Sequence, residues 1–345
     1  MKFIAMYLPQ YHPTAFNDEW WGKGFTEWRN VTRAKPQYPG HHQPRLPADL
    51  GFYDLRLDEI REEQAALAKQ YNIHGFCYYY YRFKGKRALE MPLNRLMETG
   101  KPDMPFCICW ANENWTRSWD GQNKNILMQQ EHTDADDLDF IKEVAPILTD
   151  PRYIRITGKP ILMIYRPELW PDMKKTSDMW RTYMRENHNT EIYLIKCNSF
   201  NHDHPEVYGF DAGYQFPPLY FRRGDITKEE ARAYPDFKGY FTPYTDWKKF
   251  VYQNAEYKLF RGVMPGWDNT PRRMESASIV HGSSPEEYGK WLKEAVKYTK
   301  ENMEDDEQII FINAWNEWAE GAILEPCNQY GLKYLEVTNE SYKNA

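Results

Sequence analysis

Short apolar runs alternate with amphipathic segments along the whole chain. Most of the runs are continuously apolar, without strict alternation of polar and apolar positions, which is typical of parallel strands buried on both faces. We predict strands at 2–8, 74–81, 105–111, 160–166, 192–197, 212–216, 260–266 and 308–314.

Between several of these strands, apolar residues recur with helical spacing. We predict helices at 56–71, 133–148 and 284–300. Thr133 precedes an acidic first turn, and Ser284 precedes a proline, so each is expected to cap the helix that follows it. The early acidic residues also suit the positive end of a helix dipole.

This order of elements predicts the α/β class and, within it, a single closed (β/α)8 TIM barrel in which 1–345 form one catalytic domain. A doubly wound open sheet is the alternative, and it would place a glycine-rich phosphate loop after an early strand. The strand at 2–8 is followed by "LPQYHP" instead. The segments 18–54 and 217–258 are elongated βα loops, which we expect to form part of the site.

Charge and cysteine usage narrow the possible partners and compartments. The chain has 44 basic and 50 acidic residues, a net charge of −6, which argues against a nucleic-acid partner. The five cysteines form no CxxC pair, which favours a reducing compartment. The N-terminal apolar run is too short for a signal peptide or a membrane span, so we expect a cytoplasmic protein without a transmembrane segment. The oligomeric state stays open.

Aromatic residues make up 16% of the chain, and many lie in polar strings such as "EWWGKGFTEW" and "WANENWTRSW". Most of the rings must belong to the core. Rings beside hydrogen-bonding groups also suit a ligand with apolar faces and many hydroxyls, as sugars have. We therefore expect an oligosaccharide or polysaccharide substrate, and we expect Trp21 and Glu27 of the segment 20–28 to help select it.

Polar and aromatic side chains follow almost every predicted strand. In a barrel of this class the carboxyl ends of the strands form the active site. We therefore predict a substrate-binding role for Tyr11, His12, Tyr80, Trp110, Asn112, Glu113, Trp115, Tyr165, Tyr214, Trp267, Asp268, Asn316 and Trp318.

Glu317 and Glu320 follow the last predicted strand and are three residues apart. Positions three apart face opposite sides of a strand, so the chain must leave the strand by about Glu317 for the two carboxylates to meet. Two close carboxylates repel, so that one keeps its proton while the other ionises, as breaking a glycosidic bond requires. A structural alternative has one Glu capping a helix and the other bound to an arginine.

Other polar residues have two interpretations each. Glu113 either belongs to the site or forms a salt bridge with Arg117. His202 and His204 lack a further ligand at a recognisable spacing, so we expect a solvated loop there and neither a metal nor a cofactor. The pair at 272–273, "RR", either clamps an acidic group or forms surface ion pairs.

Several motifs, in the same order over nearly the whole chain, resemble the WbsX-type family of proteins, which are commonly labelled glycosyltransferases of bacterial polysaccharide assembly. The motifs are "YLPQYHP", "GFCYYYYRFKGKRALE", "WANENWTRSWDG" and "AWNEWAEGAILEP". The family is distantly related to glycoside hydrolase family 99, the endo-α-mannosidases and endo-α-mannanases.

The resemblance implies a (β/α)8 barrel, no metal and retention of configuration. It implies that Glu317 takes the proton of the sugar 2-hydroxyl, whose oxygen then displaces the leaving group. Glu320 would protonate the leaving oxygen and then activate water, and Glu113 would bind the sugar. Ala319 stands where the hydrolases usually have histidine, so the resemblance carries over the catalytic machinery and not the preference for mannose.

Three functional hypotheses follow. The first is a glycosidase or transglycosidase that acts on α-linked chains. The second is a glycosyltransferase that uses a nucleotide sugar to build O-antigen, lipopolysaccharide or capsule, although "DADD" at 134–137 begins a predicted helix instead of forming a DxD site. The third is a glycan-binding barrel without catalysis, in which Glu→Gln changes at 317 and 320 leave function intact.

Overall fold

The computed structural model describes residues 1–117, 122–218, 236–251 and 255–345. Eight parallel strands form its central barrel, one at each predicted position. They are β1 Lys2–Tyr7, β2 Gly75–Phe83, β3 Phe106–Trp110, β4 Lys159–Ile164, β5 Tyr193–Asn198, β6 Ala212–Gln215, β7 Leu259–Val263 and β8 Ile309–Ile312.

The sheet closes on itself. Each strand pairs in parallel with the next one along the chain. The first strand also pairs with the last, with Ile4 opposite Phe311 and Ala5 opposite Ile312. This closure confirms the predicted (β/α)8 barrel and rules out the doubly wound open sheet, which has two free edges.

Among the described residues, six longer helices pack outside the barrel. They are α1 Asp58–Gln70, α2 Met91–Thr99, α3 Asp134–Leu148, α4 Met173–His188, α5 Pro285–Asn302 and α6 Lys333–Lys343. The predicted caps form, because Thr133 Oγ1 accepts from the Asp136 N–H at 3.2 Å and Ser284 Oγ accepts from the Glu287 N–H at 3.3 Å. Between β5 and β6 the only helical turn is the 3-10 turn Pro205–Tyr208.

Shorter elements lie in the connections between barrel strands. The short helices in the described ranges are Ala15–Trp21, Trp28–Arg33, Lys248–Val251 and Thr270–Arg273. Further 3-10 turns are Pro167–Leu169, Tyr244–Trp247, Met274–Ser276, Asp305–Glu307 and Trp318–Glu320. Additional strands are Lys86–Ala88, Trp115–Arg117, Gln122–Met128, Arg155–Ile156, Tyr240–Pro243, Trp267–Asp268, Ser278–His281, Asn316–Glu317 and Ala322–Ile323.

Side chains on each barrel strand alternate between the interior and the helix layer. In β2, Tyr79 and Tyr81 face the barrel mouth, whereas the Tyr80 hydroxyl donates to Glu143 on α3. In β3, Trp110 likewise turns outward and stacks on Phe140 of α3 with ring centroids 4.0 Å apart. The alternation therefore decides which side chain of each continuous apolar run can reach the site.

Both elongated βα loops lie at the end of the barrel formed by the carboxyl ends of the strands. Pro218, near the start of the second loop, lines the cavity there. The segment after β1 carries two short helices, and its Trp28 ring lies 5.6 Å from the Trp318 ring. In the predicted loop 217–258, residues 219–235 and 252–254 lie outside the described residues. Within the described ranges, the helices all fall short of the length and apolar character that crossing a membrane requires.

Candidate active site

A cavity of about 510 Å³ opens at the carboxyl ends of the barrel strands. Its size is in the usual range for small-molecule sites. Its aromatic walls include Tyr79, Tyr81, Trp115, Tyr165, Phe216 and Trp267. Its charged walls include Glu113, Arg166, Arg272, Glu317 and Glu320. The cavity therefore combines ring faces with carboxylates, as the sequence led us to expect for a sugar ligand.

Glu317 and Glu320 reach this cavity because the chain turns sharply after β8. Asn316 and Glu317 form a two-residue strand that pairs antiparallel with Ala322–Ile323, and the 3-10 turn Trp318–Glu320 lies between them. Gly321 has φ +64°, a left-handed conformation that glycine adopts without strain. The chain thus leaves the strand at Glu317, as the three-residue spacing predicted.

The turn is anchored by groups at the end of β1. Asn316 Oδ1 accepts from the Leu8 N–H at 2.8 Å, and Asn316 Nδ2 donates to the Leu8 carbonyl at 3.0 Å. The Trp318 N–H donates to the Tyr11 hydroxyl oxygen at 3.0 Å. Asn316, Tyr11 and Trp318 therefore hold the turn instead of lining the cavity.

Arg272 joins the two carboxylates. Its Nη1 donates to Glu320 Oε1 at 2.5 Å, and its Nη2 lies 3.5 Å from Glu317 Oε2. The same guanidinium also donates to Glu27, from Nη2 at 3.0 Å and from Nε at 3.3 Å. Arg272 is therefore not a surface residue, but the buried centre of a carboxylate cluster.

The electrostatics of the cluster favour a retained proton. Burial raises the pKa of Glu317 well above its usual range, and the Glu320 charge raises it further, whereas Arg272 lowers it. Burial also raises the pKa of Glu320, against the lowering effect of Arg272. The Glu317 side chain is 7% exposed and that of Glu320 is 21% exposed, so Glu320 has the better access to water.

A second buried carboxyl, Glu325, lies behind the turn. It accepts hydrogen bonds from Trp318 Nε1 at 2.7 Å, from the Tyr53 hydroxyl at 2.8 Å and from Gln64 Nε2 at 2.6 Å. Burial raises its pKa to about 7, although these three donors act in the opposite direction. Glu325 links the turn after β8 to helix α1 through Gln64.

The opposite wall of the cavity carries another ion-pair group. Arg166 Nη1 donates to Glu113 Oε1 at 2.5 Å, and its Nε donates to Glu168. Burial raises the pKa of Glu113, and Arg166 opposes that rise. Glu113 thus lines the cavity and forms a salt bridge as well, but with Arg166; the side chain of Arg117 lies outside the described residues.

The structure brings six of the predicted site residues to the cavity wall, and we describe the others where they lie. Those at the wall are Glu113, Trp115, Tyr165, Trp267, Glu317 and Glu320. Those away from it are Tyr11, His12, Trp21, Glu27, Tyr80, Trp110, Asn112, Tyr214, Asp268, Asn316 and Trp318. For Tyr80 the physical reason is alternation, because its neighbours Tyr79 and Tyr81 reach the wall from the other face of β2.

Several of the residues away from the cavity have structural partners instead. Asn112 Oδ1 accepts from the Arg166 N–H at 2.8 Å, and its Nδ2 donates to the Arg166 carbonyl at 2.8 Å. Tyr214 packs inside the barrel, with its ring 4.7 Å from that of Phe311. Trp21 lies beside Phe25, with ring centroids 5.8 Å apart. Burial lowers the pKa of His12 to about 4.

Asp268 is a fully buried anchor for the connection after β7. It accepts from Gln43 Nε2 at 2.6 Å and from the Thr270 hydroxyl at 2.6 Å, and His41 Nε2 lies 2.8 Å away. Burial alone would raise the pKa of Asp268, but the hydrogen bond with His41 and the charge of Arg45 lower it to about 2. Asp268 thereby fixes the start of the short helix Thr270–Arg273, which carries Arg272.

Sequence reasoning missed several cavity residues. Tyr79 and Tyr81 lie in a run of four tyrosines, and only the barrel register shows which of them face inward. Arg166 lies two positions after the end of β4, so its position near a strand end was a usable signal. The sequence offers Arg272 as a possible clamp for an acidic group or a surface residue, but gives no signal of its contact with Glu27, which lies 245 positions away in the chain.

Two aspartates of the motif "DADD" form contacts with other side chains. Both lie in the first turn of α3: Asp136 forms a salt bridge with Arg82 at 2.8 Å, and Asp137 accepts hydrogen bonds from Trp170 and Thr176. In the part of the chain that the structure describes, no group of three or more His, Cys, Asp or Glu side chains is placed to hold a metal ion.

Comparison with known sequences identifies the family. Residues 3–338 match the family described as glycosyltransferase WbsX. The chain belongs to the WbsX family. Proteins named WxcX from two strains of Xanthomonas campestris pv. campestris are 44% identical to it over 347 aligned positions, which cover 99% of this chain. The chain spans about half the length of these relatives, 50% in each case.

Solved structures share the fold of this WbsX-family chain. A GH99 endo-alpha-mannosidase from Bacteroides thetaiotaomicron aligns over 99% of this chain and 96% of its own, with a TM-score of 0.62 and 16% identity. A glycoside hydrolase-like protein aligns over 99% and 93% of the two chains, with a TM-score of 0.65 and 14% identity. At such identities the likeness establishes the barrel fold alone.

Proposed function

We propose that this WbsX-family chain is a carbohydrate-active enzyme that cleaves or transfers α-glycosidic linkages in an oligosaccharide or polysaccharide. The observation that carries the proposal is the carboxylate pair Glu317 and Glu320, joined by Arg272 at the wall of a cavity lined with aromatic rings. A pair that shares one proton supplies both a general acid and a general base.

The proposed reaction proceeds with retention through the sugar's own 2-hydroxyl. Ionised Glu317 takes the 2-hydroxyl proton while the oxygen attacks C1, and the bond from C1 to the leaving oxygen breaks. Glu320 gives its proton to that leaving oxygen. Glu320 then takes a proton from water or from an acceptor hydroxyl, whose oxygen opens the three-membered ring at C1, and Glu317 returns its proton to the 2-oxygen.

The walls of the cavity support a sugar substrate. Tyr79, Tyr81 and Trp267 present ring faces or hydroxyls, and such amphipathic rings suit the apolar faces and the hydroxyls of a sugar. The name of the family and the likeness to a GH99 endo-alpha-mannosidase support the same substrate class. We propose in addition that residues 1–345 act as one catalytic domain.

The second candidate is a nucleotide-sugar-dependent glycosyltransferase of polysaccharide biosynthesis. The description of the matching family as a glycosyltransferase favours it. A glycan-binding barrel without catalysis is the third candidate. In such a barrel the salt bridges of Arg272 with Glu317 and Glu320 would have a purely structural role.

Product analysis separates the three candidates. Purified chain is incubated with a panel of α-linked oligosaccharides, each with and without nucleotide sugars, and the products are identified by mass spectrometry. Our proposal predicts shorter chains, or rearranged chains, without any nucleotide. Extension that occurs only with a nucleotide sugar would support the transferase, and binding without any product would support the glycan-binding barrel.

A further inference from the structure

The aromatic segment 20–28 was expected to select substrate, but its Glu27 lies elsewhere. The Glu27 side chain is 0% exposed, and Glu27 is absent from the cavity wall. Its carboxylate accepts from two nitrogens of Arg272, at 3.0 and 3.3 Å, and from Asn30 Nδ2 at 2.6 Å. Glu27 therefore binds the arginine that joins the catalytic carboxylates, on the side away from the cavity.

The neighbouring Trp28 fixes Glu27 relative to the turn after β8. Trp28 Nε1 donates to the Tyr53 carbonyl at 2.8 Å. Its ring lies 4.5 Å from the Tyr11 ring and 5.6 Å from the Trp318 ring, measured between centroids. Trp318 stands between Glu317 and Glu320 in the sequence, so one tryptophan contact connects the two segments that hold Arg272.

The formal charges of the cluster show what Glu27 does. A negative Glu27 and a positive Arg272 offset each other's charge at the Glu317–Glu320 pair, which leaves Arg273 as the further positive charge that acts on Glu320. Two ionised carboxylates would then repel in a buried site, so the pair keeps one proton. Without the Glu27 charge, Arg272 would neutralise one carboxylate of the pair and favour the loss of that proton.

We propose that Glu27 is a positioning residue of the carboxylate pair: it orients Arg272 and offsets its charge, so that Glu317 and Glu320 retain one proton between them. The proposal rests on the proposed function for the use of that proton. It assigns to the segment 20–28 control of the pH dependence of the reaction, in place of contact with the substrate.

The charges around the pair shift the pKa values of Glu317 and Glu320 in the directions that this proposal requires. After burial, which is the largest effect, the Glu27 charge acts to raise the pKa of both Glu317 and Glu320, and Arg272 acts to lower it. The other titratable or charged groups that face the cluster are Tyr11, Tyr79, Tyr81, Tyr165 and Arg273. Burial raises the pKa of the four tyrosines well above its usual range, so they stay neutral near pH 7.

The test titrates the carboxyl groups directly. Chain labelled with ¹³C at the glutamate side-chain carboxyl carbon is followed by NMR against pH, and Glu317→Gln and Glu320→Gln identify the resonances of the pair. In Glu27→Gln we expect the titration midpoints of Glu317 and Glu320 to move to lower pH. The pH–rate profile should move in the same direction. Glu19→Gln is the matched control: it removes an exposed charge from the residue just before this segment and leaves both midpoints unchanged.

Unchanged midpoints in folded Glu27→Gln overturn the proposal. If that variant does not fold, Glu27→Asp tests the same idea, because it keeps the negative charge but draws it away from Arg272 by one methylene group. The two titration midpoints should again move to lower pH, and unchanged midpoints there overturn the proposal as well. The titration needs no turnover, so a chain that cleaves nothing yet shows these movements contradicts the proposed function alone.

Discussion

Glu317 and Glu320 differ in their surroundings, and this difference bears on their roles. Glu320 has the greater access to water, as a residue must that first protonates a leaving oxygen and then activates water. Arg272 contacts Glu320 more closely, at 2.5 Å against 3.5 Å for Glu317, which favours ionised Glu320 until substrate binds. The role of acid therefore requires the proton to be on Glu320 in the complex with substrate.

The leaving group reveals which glutamate is the acid. With α-glycosides that carry dinitrophenol, a leaving group that needs no proton, we expect Glu320→Gln to keep most of the wild-type rate and Glu317→Gln to lose it. With poor leaving groups both variants should lose activity. Steady-state rates over a series of aryl glycosides measure this, and recovery in Glu317→Gln alone would reverse the two roles.

Asp268 should support stability over a defined pH range. Its folded-state pKa of about 2 is below the unfolded value of 3.8, so its contribution is present above about pH 3.8 and is lost as pH falls toward 2. The shift corresponds to about 2 kcal/mol. Asp268→Asn should lower the free energy of unfolding by about that amount at pH 7, as measured by urea denaturation.

The matched control for this change is Asp49→Asn, which removes an exposed carboxylate from the segment after β1, the segment that holds the Asp268 partners His41 and Gln43. We expect the control to behave like the wild type at every pH. The difference between Asp268→Asn and the wild type should shrink between pH 4 and pH 2. A difference that stays constant over this range would contradict the assignment of Asp268 as an ionised anchor.

At the level of single elements, strand β2 offers a direct test of which of its side chains point into the barrel and which point to the helix layer. Tyr79→Phe and Tyr81→Phe each remove a hydroxyl from the cavity wall, and we expect kcat/KM to fall by about two- to tenfold. Tyr80→Phe removes a hydrogen bond to Glu143 in the helix layer. It should lower stability by about 1 kcal/mol and leave kcat/KM unchanged.

Tyr80→Phe is thus the internal control, because it makes the same chemical change one position away. Enzyme assays and urea denaturation on the three variants separate the two effects. A loss of kcat/KM in Tyr80→Phe equal to that in Tyr81→Phe would show that the inward face of β2 is assigned incorrectly.

The turn after β8 and helix α1 are coupled through Glu325, which predicts a pH dependence of stability. Its folded-state pKa of about 7 is above the unfolded value of 4.5, so its contribution is complete below about pH 4.5 and is lost as pH rises through 7. The difference corresponds to about 3 kcal/mol. Glu325→Gln should remove this part of the pH dependence, measured by urea denaturation from pH 4 to pH 8.

The exposed Glu336 on α6 provides the control for this experiment. Glu336→Gln should keep the decline of stability with pH that the wild type shows. If Glu325→Gln showed the same decline as the wild type, the pH dependence would come from another group, and the link between the turn and helix α1 would not depend on the protonation of Glu325.

For the molecule as a whole, the sequence predicts the barrel well because each strand is buried on both faces. Such strands leave continuous apolar runs, and all eight runs are barrel strands in the structure. The helix starts at Thr133 and Ser284 are equally predictable, since their caps are local interactions. Family motifs at the strand ends also indicate the correct end of the barrel.

The same continuous runs hide which side chain faces the site. In "CYYYY" nothing local separates Tyr80 from its neighbours, and in "CICWA" nothing local turns Trp110 outward. Long-range charge contacts are hidden as well: Glu27 and Arg272 are 245 positions apart, and only the closed barrel brings them together. Sequence therefore predicts the architecture and the carboxylate pair, but not the arrangement of residues that supports the pair.

The most direct test of the central claim measures bond cleavage by the carboxylate pair. The rate on the best α-linked substrate of the product panel, without any nucleotide, is compared among wild type, Glu317→Gln, Glu320→Gln and the control Glu336→Gln. The proposed function predicts a loss of about 10²- to 10⁴-fold in each variant of the pair and none in the control. Rates in both pair variants within about twofold of the wild type would contradict it.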